Sequence, residues 1–135
     1  MKLKAIAFVL FALFSILSSC CPFIKEEPLG NNLYLSEYDN LDRRILYSKE
    51  SCSGSGVEIV PMTVLEYSYD SEWIIAKSES KRTNSIIQYW IIKNNYTFEP
   101  TVEVIKTNML GPLDLETFSR ELANKEIHLR LKRIG

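Results

Sequence analysis

The sequence predicts a small α+β domain: an antiparallel β-meander with one C-terminal helix packed on it, preceded by an N-terminal signal helix. Three observations predict this fold. Apolar and polar residues alternate from Leu65 to Tyr69, as in a half-buried strand. Apolar and β-branched runs follow at 73–76 and 86–92, which favours strands inside a sheet. Near the C-terminus, Leu115, Phe118 and Leu122 recur at helical spacing.

The first nineteen residues have the pattern of an export signal. Lys2 and Lys4 precede an apolar run over 5–17 that is shorter than the about 20 residues of a membrane-spanning helix. The sequence Leu17-Ser18-Ser19-Cys20 then resembles the lipobox of bacterial lipoproteins. This resemblance implies cleavage before Cys20 and a covalent diacylglycerol and N-acyl lipid on that cysteine. The alternatives are an ordinary secretory signal and an uncut anchor.

Residues 20–32 are predicted to form the lipidated cysteine and a flexible tether, because the segment is polar and contains Pro22, Pro28 and Gly30. Within it, Lys25-Glu26-Glu27 resembles a short signal that sends lipoproteins to the cell surface in one group of Gram-negative bacteria. That resemblance implies a surface location, and a solvated tether is the alternative interpretation.

A single domain is predicted over 33–135. Apolar runs at 33–35 and 45–47 flank a turn rich in aspartate, which favours a hairpin, and a short strand at 57–60 ends at Pro61. The meander at 65–92 follows, and 102–105 is predicted to add an edge strand. Gly111-Pro112 breaks that segment, and Asp114 is placed to cap the helix. Residues 127–131 alternate again and predict a final strand.

Composition limits the kinds of function. The net charge is −1, and removal of the signal with its two lysines and no acid would lower it to −3. A nucleic-acid partner is not expected, because the protein lacks the excess of positive charge that drives such binding. The only partners predicted are the membrane, through the lipid anchor, and a protein of the cell envelope.

The three cysteines are assigned different roles. With Cys20 as the lipid acceptor, Cys21 and Cys52 remain, and outside the cytoplasm they either form a disulfide or stay as two free thiols. The bond would close a loop of about 30 residues and add about 3–4 kcal/mol of stability on the chain-entropy model. We expect no metal and no other cofactor, because two cysteines and one histidine show no paired ligand spacing.

Several motifs together resemble a family of small bacterial lipoproteins of unknown function. They comprise the lipobox, Val64 with Tyr67, Trp73-Ile74-Ile75-Ala76, Tyr89-Trp90-Ile91-Ile92, and Gly111-Pro112-Leu113 leading to Phe118. The resemblance covers about residues 57–125. It implies a location and a fold, and it implies no catalytic residue.

No enzymatic activity is expected. The single histidine, His128, lies between Ile127 and Leu129 on the predicted last strand, where it is expected to face solvent. The basic residues there predict an interaction surface for an anionic headgroup or an acidic partner, or a charged edge that prevents aggregation; they are His128, Arg130, Lys132 and Arg133. The predicted function is a lipid-anchored, extracytoplasmic interaction module of the cell envelope. A small envelope enzyme, or an enzyme inhibitor or immunity-type protein, is the alternative.

Overall fold

The computed structural model describes residues 24–39, 41–52, 55–80 and 84–135. The predicted signal helix and Cys20 and Cys21 lie outside these residues. The described chain contains nine strands: β1 Lys25–Gly30, β2 Leu33–Glu37, β3 Arg43–Tyr47, β4 Val57–Val60, β5 Val64–Tyr69, β6 Trp73–Ser80, β7 Ile86–Lys93, β8 Met109–Leu113 and β9 Lys132–Arg133. It also contains two helices, α1 Val102–Thr107 and α2 Leu115–Asn124.

The strands form two antiparallel sheets. The first has the order β1-β2-β3-β4 and the second has the order β8-β7-β6-β5-β9. The α+β class, the β2–β3 hairpin, the β5–β6–β7 meander and the C-terminal helix are therefore confirmed, whereas the expectation of one sheet is wrong. The physical reason lies in β6, which is apolar on both faces and so needs a cover on each side.

Side chains of β6 and β7 alternate between two cores. Ile74, Ala76 and Ile92 point toward the first sheet and form a core between the two sheets. Ile75 and Ile91 point the other way, where α2 and the C-terminal segment cover them. The molecule therefore has three layers: the first sheet, the second sheet, and a layer made of α2 with the segment after it.

The predicted tether is wrong from Lys25 onward. Lys25 to Pro28 pair with β2 in a regular antiparallel register, and Leu29 is buried between the sheets. Pro28 is compatible with this strand because β1 lies at a sheet edge, where one side of the backbone needs no ladder hydrogen bond. Gly30, at φ +108°, begins the reversal into β2. Proline and glycine here mark an edge strand and its turn, and they do not mark a linker.

The predicted edge strand at 102–105 is also wrong, because these residues begin helix α1. The Thr101 side chain caps the helix by accepting a hydrogen bond from the Val104 N–H at 3.3 Å. Ile105 is fully buried in the core between the sheets. The cap and this burial outweigh the preference of valine and isoleucine for strands.

The C-terminal region follows the prediction in part. Asp114 caps α2 by accepting a hydrogen bond from the Thr117 N–H at 2.7 Å, and Phe118 is buried under the helix. Gly111-Pro112, predicted as a break, lies inside β8, which pairs with β7. The predicted last strand is shorter than expected, since only Lys132 and Arg133 pair with β5.

Candidate functional site

One end of the sandwich brings together the start of the folded domain and the β2–β3 connection. Lys25, the first residue of β1, is paired with Glu37, the last residue of β2. Tyr38 and Leu41 follow β2. The Asp39 side chain holds this connection by accepting hydrogen bonds from the N–H groups of Leu41 at 2.7 Å and Asp42 at 2.6 Å. We call this end of the molecule the Tyr38 end.

The second sheet contributes to the same end. The Thr63 hydroxyl donates a hydrogen bond to the Leu41 carbonyl, which joins the β2–β3 connection to the segment before β5. Thr63 is also bonded through its backbone to Glu79 of β6, and Glu79 is paired with Ile87 of β7. The beginnings of β5 and β7 and the end of β6 therefore lie beside the β2–β3 connection.

Exposed apolar side chains are concentrated at the Tyr38 end. Tyr38 is 65% exposed and Leu41 is 58% exposed, both far above the level of a core residue. The full set at this end is Tyr38 and Leu41 after β2, Met62 before β5, and Ile86 and Ile87 at the beginning of β7. Single exposed apolar residues are ordinary, but a group of them at one end of a small domain points to a contact surface.

A cavity of about 560 Å³ opens beside this end, between β1 and the β5–β9 edge. Its walls include Lys25, Glu37, Tyr67, Arg133 and the C-terminal Gly135. The charges are mixed, because three glutamates line the cavity together with one lysine and one arginine; the glutamates are Glu26, Glu27 and Glu37. The cavity is therefore a polar seam between the two sheets.

Glu27 bridges the two sheets across this seam. Its carboxylate accepts a hydrogen bond from the Tyr67 hydroxyl and another, at 3.2 Å, from the Tyr69 hydroxyl. Burial and the hydrogen bond to Glu27 together raise the pKa of Tyr67 well above its usual value near 10. The pKa of Tyr69 is raised by the same causes. Neither phenol is prepared to lose a proton near neutral pH, so the group acts as a structural link.

Cys52 lies on the outer side of the first sheet, next to β1. Its backbone N–H donates a hydrogen bond to Glu26 Oε2 at 2.7 Å, and the residue is disulfide-bonded. The predicted lipid acceptor, Cys20, and the predicted disulfide partner of Cys52, Cys21, both lie outside the described residues. This hydrogen bond holds the loop before β4 against β1.

The predicted basic surface is found on the opposite layer. Ile127 is buried, and Leu129 and Leu131 pack beside it against the second core. The four basic side chains, which face solvent, are His128, Arg130, Lys132 and Arg133. Of these, Arg133 lines the seam between the sheets. Within the described part of the chain none of the four forms a salt bridge with an acid.

The arrangement does not assemble a catalytic group from the residues that the sequence singles out. His128 lies outside the second core and Cys52 lies on the first sheet, so the structure keeps them on different layers. Among the described residues, no three His, Cys, Asp or Glu side chains are grouped so that they could hold a metal ion. No helix within these residues is long and apolar enough to cross a membrane.

Sequence reasoning missed the Tyr38 end. Tyr38 and Leu41 stand among turn-forming aspartates, and an apolar residue in such a turn is a local sign of an exposed contact. Met62, Ile86 and Ile87 carry no such sign, because each becomes part of the surface only through the pairing of the two sheets.

Comparison with known proteins identifies a family and no activity. A family model described as a protein of unknown function, DUF3997, matches residues 30–135, which includes almost all of the folded domain. No curated protein and no solved structure matches the chain.

Proposed function

Since the chain belongs to the DUF3997 family of proteins of unknown function, we propose from its own residues that it is a lipid-anchored protein of the bacterial cell envelope. Acyl chains on Cys20 hold it on the extracytoplasmic side of a membrane. It acts there by binding another envelope protein, without catalysis.

The disulfide at Cys52 is the observation that carries this proposal. Disulfides persist in secreted and envelope proteins and are rare in the reducing cytoplasm. The other two cysteines of the chain are Cys20 and Cys21, directly after the predicted export signal. If the Cys20 thiol is used in the thioether to the lipid, Cys21 is the residue left to bond with Cys52.

The beginning of β1 supports a short attachment. Strand β1 begins at Lys25. Four residue steps separate Cys20 from Ile24, and they span at most about 14 Å. Several acyl chains are sufficient to hold such a domain, because each buried methylene contributes about 0.8 kcal/mol of membrane binding.

Metabolic labelling with a palmitate analogue tests the anchor. Labelling should disappear in Cys20→Ala and persist in Cys21→Ala, because only Cys20 occupies the acceptor position of the lipobox. The Cys21→Ala protein should instead expose the Cys52 thiol to a maleimide reagent under denaturing, non-reducing conditions. Labelling that is lost in Cys21→Ala and retained in Cys20→Ala would overturn the assignment.

The exposed basic segment is the surface we propose for the protein partner. Its cations have no acidic partner within the described chain, so an acidic protein surface would pair with them without first displacing an internal salt bridge. Cross-linking in intact envelopes should capture a partner with the native protein. Reversal of charge at Arg130 and Lys132 to glutamate should remove that product, whereas Lys106→Glu, on the exposed side of α1, should retain it. A product unchanged by the double reversal would contradict this surface.

A further inference from the structure

We propose that the Tyr38 end of the sandwich inserts its exposed apolar side chains into the surface of the same bilayer that holds the lipid anchor. This inference rests on the proposed lipidation of Cys20 and adds an orientation to it. The occupant of the surface is a lipid bilayer, and the residues that enter it are Tyr38, Leu41, Met62, Ile86 and Ile87.

The short attachment limits where the bilayer can be. Ile24 lines the cavity beside Lys25 and also lines a second depression that includes Tyr38, so the chain enters the fold next to the apolar group. With at most about 14 Å between Cys20 and Ile24, the Tyr38 end lies close to the lipid glycerol. The headgroup layer on one side of a bilayer is only roughly 5–7 Å thick. The apolar side chains are therefore within reach of the membrane surface.

The chemistry of the group fits a membrane interface. Tyrosine is enriched where hydrocarbon meets headgroups, because its ring is apolar and its hydroxyl is polar. Leucine, methionine and isoleucine gain free energy when they leave water for the boundary of the acyl chains. These five residues lie after β2, before β5 and at the beginning of β7; all of them are exposed, and none of them belongs to either core.

The charged groups around the apolar residues are compatible with a zwitterionic surface. Asp39 accepts two backbone hydrogen bonds, and Asp42 is paired with Arg44 at 2.6 Å, so these carboxylates are already compensated. Lys25, which begins β1 at the same end, is placed to meet a lipid phosphate. Because acidic and basic side chains are both present, we expect this end to insert into bilayers of phosphatidylcholine alone, without an anionic lipid.

The opposite end of the molecule provides an internal control. Its exposed aromatic residue is Phe98, whose exposed fraction is close to that of Tyr38. It is adjacent to Glu99, which accepts a hydrogen bond from Asn32 at the far end of β2. A membrane that contacts the Tyr38 end leaves Phe98 in water, on the other side of the domain.

Depth-dependent quenching tests the proposal on the lipidated full chain in phosphatidylcholine vesicles whose acyl chains are brominated. The Tyr38→Trp protein should lose tryptophan emission in these vesicles relative to unbrominated ones, after subtraction of the wild-type signal from Trp73 and Trp90. The Phe98→Trp protein should show no such loss, and acrylamide in the water should quench it instead. Adding Leu41→Glu to Tyr38→Trp should restore emission, whereas adding Val57→Glu should not.

Failure of the anchor and failure of the proposed orientation give different results, and each of them overturns the proposal. A protein that does not float with the vesicles lacks the lipid anchor, and the proposed function fails with it. A protein that floats but shows equal quenching at positions 38 and 98 has no preferred orientation. A Tyr38→Trp signal protected from both bromine and acrylamide means that another protein, or a second copy, covers this end.

Discussion

The two ends of the sandwich are built in opposite ways. At the end away from Tyr38, the buried Asn94 side chain donates hydrogen bonds of 2.8 Å to the carbonyls of Leu29 and Asp70. It also accepts one of 2.9 Å from the Asn31 side chain, so a single residue joins β1 to the β5–β6 turn and thus one sheet to the other. We call this the Asn94 end. At the Tyr38 end the Thr63 hydroxyl joins the second sheet to the β2–β3 connection, and apolar side chains are exposed.

This difference separates stability from surface chemistry. At the Asn94 end the buried Asn94 side chain is hydrogen-bonded to three different residues, so its removal leaves each of those groups without a partner. The exposed apolar side chains at the Tyr38 end belong to neither core, so their substitution is not expected to disturb the packing of the described chain. We therefore expect substitutions at the Asn94 end to reduce stability, and substitutions at the Tyr38 end to change binding alone.

The largest effect is expected from Asn94→Ala. It removes the donors to the buried Leu29 carbonyl and the partly buried Asp70 carbonyl and the acceptor for Asn31, and the expected loss in the free energy of unfolding is about 2–4 kcal/mol. Urea denaturation followed by circular dichroism measures it. Asn95→Ala is the matched control, because Asn95 is the adjacent residue of the same type and is exposed. Equal stability of the two variants would remove the distinction between the ends.

The second effect is expected at Gly30. Its φ is +108°, and a Cβ there would lie 3.0 Å from Asn94 Oδ1, so Gly30→Ala strains the backbone and presses on the same asparagine. The expected loss is about 1–3 kcal/mol. Gly135→Ala is the control at the Tyr38 end, where a Cβ meets nothing within 4 Å. A thermal melt of each variant measures the two effects. A Tm lowered by Gly135→Ala and not by Gly30→Ala would contradict the proposed difference between the two ends.

The same contrast explains how much of the structure could be predicted. The β2–β3 hairpin and the meander follow from alternation within single segments, and Asp114 marks its helix start locally. Strand β1 could not be predicted from its own residues, because Pro28 and Gly30 are typical of a linker. The contact that holds the strand comes from Asn94, which is distant in the sequence. Helix α1 was predicted as a strand because its residues include valine and isoleucine, which favour strands.

The candidate site was less predictable for a related reason. Tyr38, Met62 and Ile86 are far apart in the sequence and come to the same end only through the Thr63 hydrogen bond to Leu41 and the β6–β7 register. The apolar run of β6 shows that both of its faces are covered, but it does not show that a second sheet provides one cover. The lipid acceptor Cys20 can be proposed from sequence because its motif is contiguous.

A smaller, pH-dependent effect is expected at the link between the two sheets, where the Tyr67 hydroxyl donates a hydrogen bond to Glu27. Burial and this hydrogen bond raise the pKa of Tyr67 in the folded state, so folding favours its protonated form. The stabilisation is fully present below the unfolded pKa near 10 and is lost as the pH rises beyond it. Tyr67→Phe should cost about 1 kcal/mol at pH 8 and weaken the alkaline loss. Urea midpoints of both proteins at pH 8 and pH 10.5 measure this. An unchanged pH dependence would show that Tyr67 does not titrate with unfolding.

The smallest effect on stability is expected from Leu41→Ser at the Tyr38 end. The groups of Leu41 that hold the fold together are its N–H, bonded to Asp39, and its carbonyl, which accepts from Thr63. A serine keeps both, and the lost side chain is mostly in water, so the free energy of unfolding should change by less than about 0.5 kcal/mol. The same substitution should raise tryptophan emission of the lipidated Tyr38→Trp protein in brominated vesicles. A loss of stability comparable to that of Gly30→Ala would mean that the Leu41 side chain supports the fold, and the apolar group at this end would then be a part of the core and no longer a surface kept for the membrane.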